Sequence, residues 1–176
     1  ATLSIAGWIR IGTLPTSGTV NTVMYLETTD GGTQYRTLTL YHDATDDNLY
    51  IESQHNNNAT TATLKASTFG SISAATWYHV AIVWNGTSVD LAINATTDSD
   101  GGQESTLGCL EINNIGIGHN AAVSDAYAFD EWGIWDRALS SSEITALYNS
   151  GDGRSHPDSP AGSVADVGGV ALFGFN

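Results

Sequence analysis

Trp77-Tyr78-His79-Val80-Ala81-Ile82-Val83-Trp84, followed by Asn85-Gly86, decides the fold. Tyr78, Val80, Ile82 and Trp84 share one parity; Trp77, Ala81 and Val83 share the other. A run this short that is apolar on both parities reads as a strand in the middle of a sheet, covered on both faces. Asn and Gly both tolerate positive φ, so Asn85-Gly86 predicts a two-residue hairpin turn. Residues 88–94 then return with Val89, Leu91 and Ile93 inward.

Outward from this hairpin the same period of two recurs. Residues 3–10 alternate Leu3, Ile5 and Gly7 against Ala6, Trp8 and Arg10. Strands are predicted over 20–27, 35–41 and 49–54, with turns at 30–32 and 43–48 where Asp, Asn and Gly cluster. A further turn is expected over 98–102, and Asn113-Asn114 is expected to separate strands at 109–112 and 115–119. Residues 127–136 form the last long strand of this block, and residues 170–175 a final short one after an irregular Gly/Pro/Ser-rich connection. One helix is expected near 140–149. Ser140 and Glu143 offer a capping box, Ile144, Leu147 and Tyr148 an apolar stripe, and Gly151 a stop. Many strands with one short helix make an all-β, two-sheet antiparallel sandwich or jelly roll. The 176 residues fit a single domain.

Lys and Arg total 5 against 19 Asp and Glu, a formal net charge of -14. Phosphate neutralisation needs clustered Lys and Arg, so nucleic acid is excluded as a partner. Docking on anionic lipid is disfavoured for the same reason. Cations and neutral glycans remain compatible partners. Charged residues make up 14% of the chain, against the usual quarter. The surface is therefore built from Thr, Ser, Asn and Gly, as in extracellular β proteins and virion proteins. Cys109 is the one cysteine, so no intrachain disulfide forms, and its neighbours Leu107, Leu110 and Ile112 predict a buried, inert thiol. No run of about 18 apolar residues is present, so no membrane insertion is expected. The chain opens without Met or a basic, apolar leader, as after signal removal or excision.

Two segments carry a family resemblance. Thr76-Trp77-Tyr78-His79-Val80-Ala81-Ile82-Val83-Trp84-Asn85-Gly86 resembles the W-x-H-V-A-x-V-x-x-G strand of the laminin G-like, or concanavalin A-like, jelly roll. Phe129-Asp130-Glu131-Trp132-Gly133-Ile134-Trp135-Asp136-Arg137-Ala138-Leu139-Ser140, with Glu143-Ile144 and Leu147-Tyr148 beyond, resembles that family's I-D-E-x-x-I-W-x-R-A-L-S-x-x-E-I-x-x-L-Y ending. Residues 3–9 are similar to its opening F-S-I-S-A-W-I. Together the three segments cover about residues 1–149. Two departures stand out. The family strand L-V-A-Y-Y-x-F-D that precedes this opening has no counterpart ahead of Leu3. Leu172-Phe173-Gly174-Phe175-Asn176 looks like that strand moved to the other end, so residues 170–175 are expected to fill its place, in this domain or in a neighbour. Asn94-Ala95 stands where many relatives carry Asp-Gly, which speaks against a family hairpin there.

The resemblance also shapes the site expectations. Relatives that hydrolyse glucans carry Glu-x-Asp-x-x-Glu on one strand, with the glutamates as nucleophile and acid. The sequence holds no such triplet, and adjacent Asp130 and Glu131 should face opposite sides of a sheet. His42, His55, His79, His119 and His156 lack zinc-type spacing, and no Gly-x-Ser-x-Gly elbow occurs. No catalytic residue is expected. The resemblance places Asp130 where a structural calcium is often held, with Asn176 nearby if the tail fills the opening slot. Calcium wants six to eight oxygens, and the acid-rich turns at 43–48 and 98–102 read as ordinary Asx turns. Glycan binding needs aromatic rings for sugar faces and planar amides or carboxylates for hydroxyls. Tyr35, Tyr41, Tyr50, His55, Asn56, Asn57, Asn58, His119, Asn120 and Tyr127 have that chemistry in or near loops, whereas Trp8, Trp77, Trp84, Trp132 and Trp135 are assigned mostly to packing. Asn58-Ala59-Thr60, Asn85-Gly86-Thr87 and Asn94-Ala95-Thr96 are sequons, relevant only to a eukaryotic secretory route.

Two functions are expected from this reading. The first is a non-catalytic extracellular recognition or adhesion module for carbohydrate or another surface ligand, supported by calcium. The second is a structural subunit of an assembly such as a virion decoration, fibre or surface array. A tail that completes a neighbour by strand addition would serve the second.

Overall fold

The computed structural model describes residues 2–14, 20–30, 33–55, 59–99, 112–117, 127–153 and 171–173. Two antiparallel sheets face each other. One has the order β11-β10-β1-β6-β7-β8 and the other β5-β4-β3-β2-β9. In chain order these are β1 Leu3–Ile11, β2 Val20–Asp30, β3 Thr33–Asp43, β4 Asn48–His55, β5 Ala59–Lys65 and β6 Trp77–Trp84. They continue as β7 Val89–Ile93, β8 Thr96–Ser99, β9 Ile112–Ile117, β10 Tyr127–Trp135 and β11 Ala171–Phe173. The helix α1, Ser141–Tyr148, lies between β10 and β11 in the chain.

β6 is the inner strand its sequence predicts, paired with β1 on one side and β7 on the other. Tyr78, Val80, Ile82 and Trp84 enter the core between the sheets, with Ile5 and Ile9 of β1, Leu26 of β2, Leu40 of β3 and Ile51 of β4. Ala81 and Val83 enter a second, smaller core on the outer face, with Trp135, Leu139 and Ile144. Its floor is a row of small residues in register, Gly133, Ala6, Ala81 and Ala92, across β10, β1, β6 and β7. Small side chains leave the depth that α1 fills. Trp77 lies on the same parity and is 41% exposed.

The capping box of α1 forms. Ser140 Oγ accepts from the Glu143 amide, and the Glu143 carboxylate accepts from the Ser140 amide. Arg137 grips the same carboxylate with both terminal nitrogens, at 2.6 and 3.0 Å, and holds Glu143 at a pKa of about 2. Fully buried Ser4 ties this corner to β1, donating to Arg137 O and accepting from the Leu139 amide. The stop is Asn149, in the left-handed region at φ 47, rather than Gly151.

Several local expectations are corrected. β5 (ATTATLK) and β8 (TTDS) carry little apolar alternation and were not foreseen; pairing with β4 and β7 holds them. Asn113-Asn114 lies inside the continuous β9, not in a turn. Asp98 belongs to β8, where its carboxylate accepts from the Thr68 amide and the hydroxyls of Ser67 and Thr68. The Asn85 connection runs over four residues: Asn85 Oδ1 accepts from the amides of Thr87 and Ser88, and only Gly86 there has positive φ. The two-residue hairpin instead joins β7 to β8 at Asn94 and Ala95, at φ 48 and 65. Asn94 exchanges bonds with His79: its Oδ1 accepts from the His79 amide, and its own amide donates to His79 O. That tie to β6 fixes the hairpin despite the alanine.

β11 pairs antiparallel with the outer edge of β10, Trp132 opposite Phe173, Gly133 opposite Leu172 and Ile134 opposite Ala171.

Candidate functional site

The outward face of the five-stranded sheet gathers the chemistry expected of a ligand surface. β3 and β4 alternate: Leu40 and Ile51 point into the core, and Tyr41 and Tyr50 point out. The two tyrosines are directly opposite, and their rings stack at 5.3 Å with planes 5° apart. The rung continues to Thr22 on β2 and Lys65 on β5. Lys65 Nζ lies 5.7 Å from the Tyr50 ring centroid, a cation–π approach. Asp46 locks this end. Its Oδ2 accepts from the Tyr50 hydroxyl at 2.7 Å and from Lys65 Nζ at 2.6 Å, and its Oδ1 accepts from the Asn48 amide. These bonds lower the Asp46 pKa, Lys65 first among the causes.

The next rung reads Gly116, Tyr25, Thr39, Glu52 and Thr63 across β9, β2, β3, β4 and β5. The Tyr25 ring occupies the space that a β-carbon on Gly116 would need. Tyr25 and Thr39 are 8% and 9% exposed, so the middle of this rung is packed beside the half-buried Tyr41–Tyr50 pair. Beyond it, Asn114 Nδ2 reaches the Tyr25 hydroxyl and Glu27 Oε2. Burial, reinforced by the Glu52, Asp43 and Asp46 carboxylates, pushes the Tyr41 hydroxyl up to about 12. It therefore stays protonated, and a donor, through the ordinary pH range.

Of the sequence candidates, Tyr41 and Tyr50 meet here. Tyr35 and His55 lie in β3 and β4, while Asn56, Asn57, Asn58, His119, Asn120, Asn176 and Cys109 lie outside the described residues. Tyr127 does not join the pair. Its ring stacks on Phe129 against the main core, and burial raises its hydroxyl to about 12. Asp46, Glu52, Lys65, Tyr25 and Asn114 were missed as site residues. The alternation of 49–54 carried a signal for Glu52, and Asp46 stands four residues before Tyr50 in the turn between β3 and β4; Lys65, Tyr25 and Asn114 converge through strand pairing.

Asp130 sits on the opposite sheet, across from Trp8. Its Oδ1 accepts from the Glu131 amide at 2.9 Å. Glu131 takes φ 51 at a bulge where β10 has one residue more than β1 between Ala6 and Trp8. The bulge breaks the alternation expected for Asp130 and Glu131. Asp130 lies outward by parity with core-facing Phe129. The Glu131 carboxylate also turns to the helix side, where it and Trp8 Nε1 crowd Gly153. Among the described residues no group of three or more His, Cys, Asp or Glu could hold a metal ion.

An antiparallel two-sheet sandwich with a helix seated on one outer face is a jelly roll of the lectin type. Residues 1–145 match the family model described as the concanavalin A-like lectin/glucanases superfamily, and the chain belongs to that family. No curated protein matches it. Among solved structures it is similar to the Trypanosoma rangeli sialidase in complex with 2,3-difluorosialic acid. The TM-score is 0.62 at 16% identity, over 86% of this chain and 23% of that one. It is also similar to the binding domain of botulinum neurotoxin DC in complex with rat synaptotagmin II, at TM-score 0.60 and 16% identity over 85% and 35%. A third is the heptameric SAP-like pentraxin of Limulus polyphemus, at TM-score 0.59 and 15% identity over 86% and 71%. The chain spans about a quarter of the sialidase and about a third of the toxin domain. These likenesses show the fold.

Proposed function

We propose that this chain is a non-catalytic glycan-recognition module whose binding surface is the outward face of the five-stranded sheet. The observation that carries the reading is the stacked Tyr41–Tyr50 pair, fixed by Asp46 and Lys65 on an otherwise polar face. A rigid aromatic block offers apolar contact to sugar C–H groups at little cost in side-chain entropy. The surrounding carboxylates, amides and hydroxyls suit sugar hydroxyls. Structural neighbours named for sialic acid, and for botulinum neurotoxin type C interacting with two ganglioside molecules, lend the reading support at the level of fold alone. The sequence lacks the Glu-x-Asp-x-x-Glu strand of the glucanases, which favours recognition over hydrolysis. Placement outside the cell or on a virion surface, and calcium support through Asp130, belong to the same proposal.

A glycan array with the parent, Tyr41→Ala and Tyr50→Ala tests it. Binding by the parent that both variants lose supports the module. Binding that neither variant changes overturns this site, and turnover of a bound glycan overturns the non-catalytic reading. The alternative, a subunit of an assembly, draws on β11, a short strand on the β10 edge that a neighbouring copy could supply. Particles or polymers seen by electron microscopy, and dissolved by deleting residues 170–176, would favour it.

A further inference from the structure

We infer that Asn85 is a self-modifying site: the turn between β6 and β7 converts it to aspartate, with loss of ammonia. Asn85-Gly86 is the one Asn-Gly pair in the chain, and Asn85 is exposed. Three donors converge on its side-chain carbonyl. Oδ1 accepts from the Thr87 amide at 2.9 Å, the Thr87 hydroxyl at 2.9 Å and the Ser88 amide at 3.0 Å. Nδ2 donates to Ser88 Oγ at 2.7 Å, and the Asn85 amide donates to Ser88 O. Among the described residues, the Gly86 amide alone in this turn has no acceptor. That nitrogen is the nucleophile. Gly86 has no side chain to shield it and holds φ 96, a conformation that a β-carbon would strain.

The step balances with water and its hydroxide as the only co-reactants. Hydroxide takes the Gly86 amide proton, and the nitrogen attacks Asn85 Cγ. The carbonyl electron pair moves onto Oδ1, where the three donors already point. Hydrogen bonds to a charged oxygen are about twice as strong as those to a neutral one. The donors therefore favour the intermediate over the starting amide, as an oxyanion hole does. The Cγ–Nδ2 bond then breaks, and Nδ2 leaves as ammonia with a proton from water. The five-membered imide that remains opens by addition of water. The same donors polarise Cγ rather than the main-chain carbonyl of residue 85. Water adds at Cγ, the bond from Cγ to the Gly86 nitrogen breaks, and an ordinary aspartate peptide results. The turn suits this product, because the new oxygen accepts from the Ser88 hydroxyl where Nδ2 had donated to it.

The purified protein and a synthetic peptide of residues 83–91 are incubated side by side at mildly alkaline pH. Position 85 is followed by peptide mass spectrometry, which sees NH exchanged for O, and isoaspartate is scored by enzymatic methylation. The folded chain should convert at least as fast as the peptide and give mainly aspartate. Thr87→Val, which removes one donor from an exposed residue, should convert about fivefold more slowly, the worth of about one hydrogen bond. Thr87→Ser, which keeps the hydroxyl, should convert like the parent. Asn85 left intact in the folded protein while the peptide converts overturns the inference. So does isoaspartate as the main product of the folded chain, or a Thr87→Val rate equal to the parent's.

Discussion

Gly7 of β1 lies directly under the indole of Trp132. A β-carbon on Gly7 would sit 2.5 Å from the indole Cγ. The ring cannot swing aside freely, because Trp132 Nε1 donates to Trp8 O at 3.1 Å within the core. The Glu131 bulge sets this approach, since it is the extra residue between the Ala6 and Trp8 registers.

Gly7→Ala should therefore destabilise the domain by about 3 kcal/mol, through overpacking and loss of the indole bond. Urea unfolding measures it. An unchanged midpoint would show that the ring is not fixed as described.

The hairpin at Asn94-Ala95 leads to the opposite sign. Ala95 holds φ 65, a left-handed conformation that costs a residue with a β-carbon about 1–2 kcal/mol. Ala95→Gly relieves that strain but gives the unfolded chain more freedom, so a net gain of up to about 1 kcal/mol is expected. Asn94→Gly, which also suits the turn, should lose stability instead, because the His79 amide forfeits its acceptor. Thermal melts of the two variants should move in opposite directions.

His79 makes stability depend on pH. It is 2% exposed, with Trp8 edge-on at 5.4 Å and Tyr148 of α1 at 6.3 Å. Burial lowers its pKa from 6.5 to about 4. The fold thus favours neutral imidazole. Its contribution is complete above pH 6.5 and is lost as pH falls toward 4, roughly 3 kcal/mol in all. Burial lowers His42 as well, against the opposing pull of Asp47, so some slope remains without His79. Glu143, held at about 2, acts in a lower window, from about 4.5 downward. His79→Leu should flatten the decline between pH 6.5 and 4, measured by melting at stepped pH. An equal slope in parent and variant would show that His79 does not titrate against the fold.

Asp130 separates a backbone role from a metal role. Its bond to the Glu131 amide predicts that Asp130→Asn, which keeps an acceptor, destabilises less than Asp130→Ala. The calcium proposal adds that a chelator lowers the melting temperature of the parent by mass action and leaves Asp130→Ala unmoved. No shift in the parent withdraws calcium.

The sequence by itself determined the class. The double parity of 77–84, the alternation of 3–10 and 49–54 and the Ser140–Glu143 cap are local patterns, and local periodicity reports which faces are buried. The helix and the inner strand stand where these patterns place them. Pairing was decided only by the tertiary structure, because register joins residues far apart in the chain. Ala6, Ala81 and Ala92 are unremarkable singly and become the seat of α1 only in one row. Tyr41 and Tyr50 could be picked from the sequence; Glu52 and Lys65 joined them through the β3–β4–β5 pairing, and Asp46 through the turn between β3 and β4. Nor could the Glu131 bulge be read locally. A residue with a β-carbon rarely takes positive φ on its own; the packing of Trp132 over Gly7 and the Asp130 carboxylate on the Glu131 amide support it there.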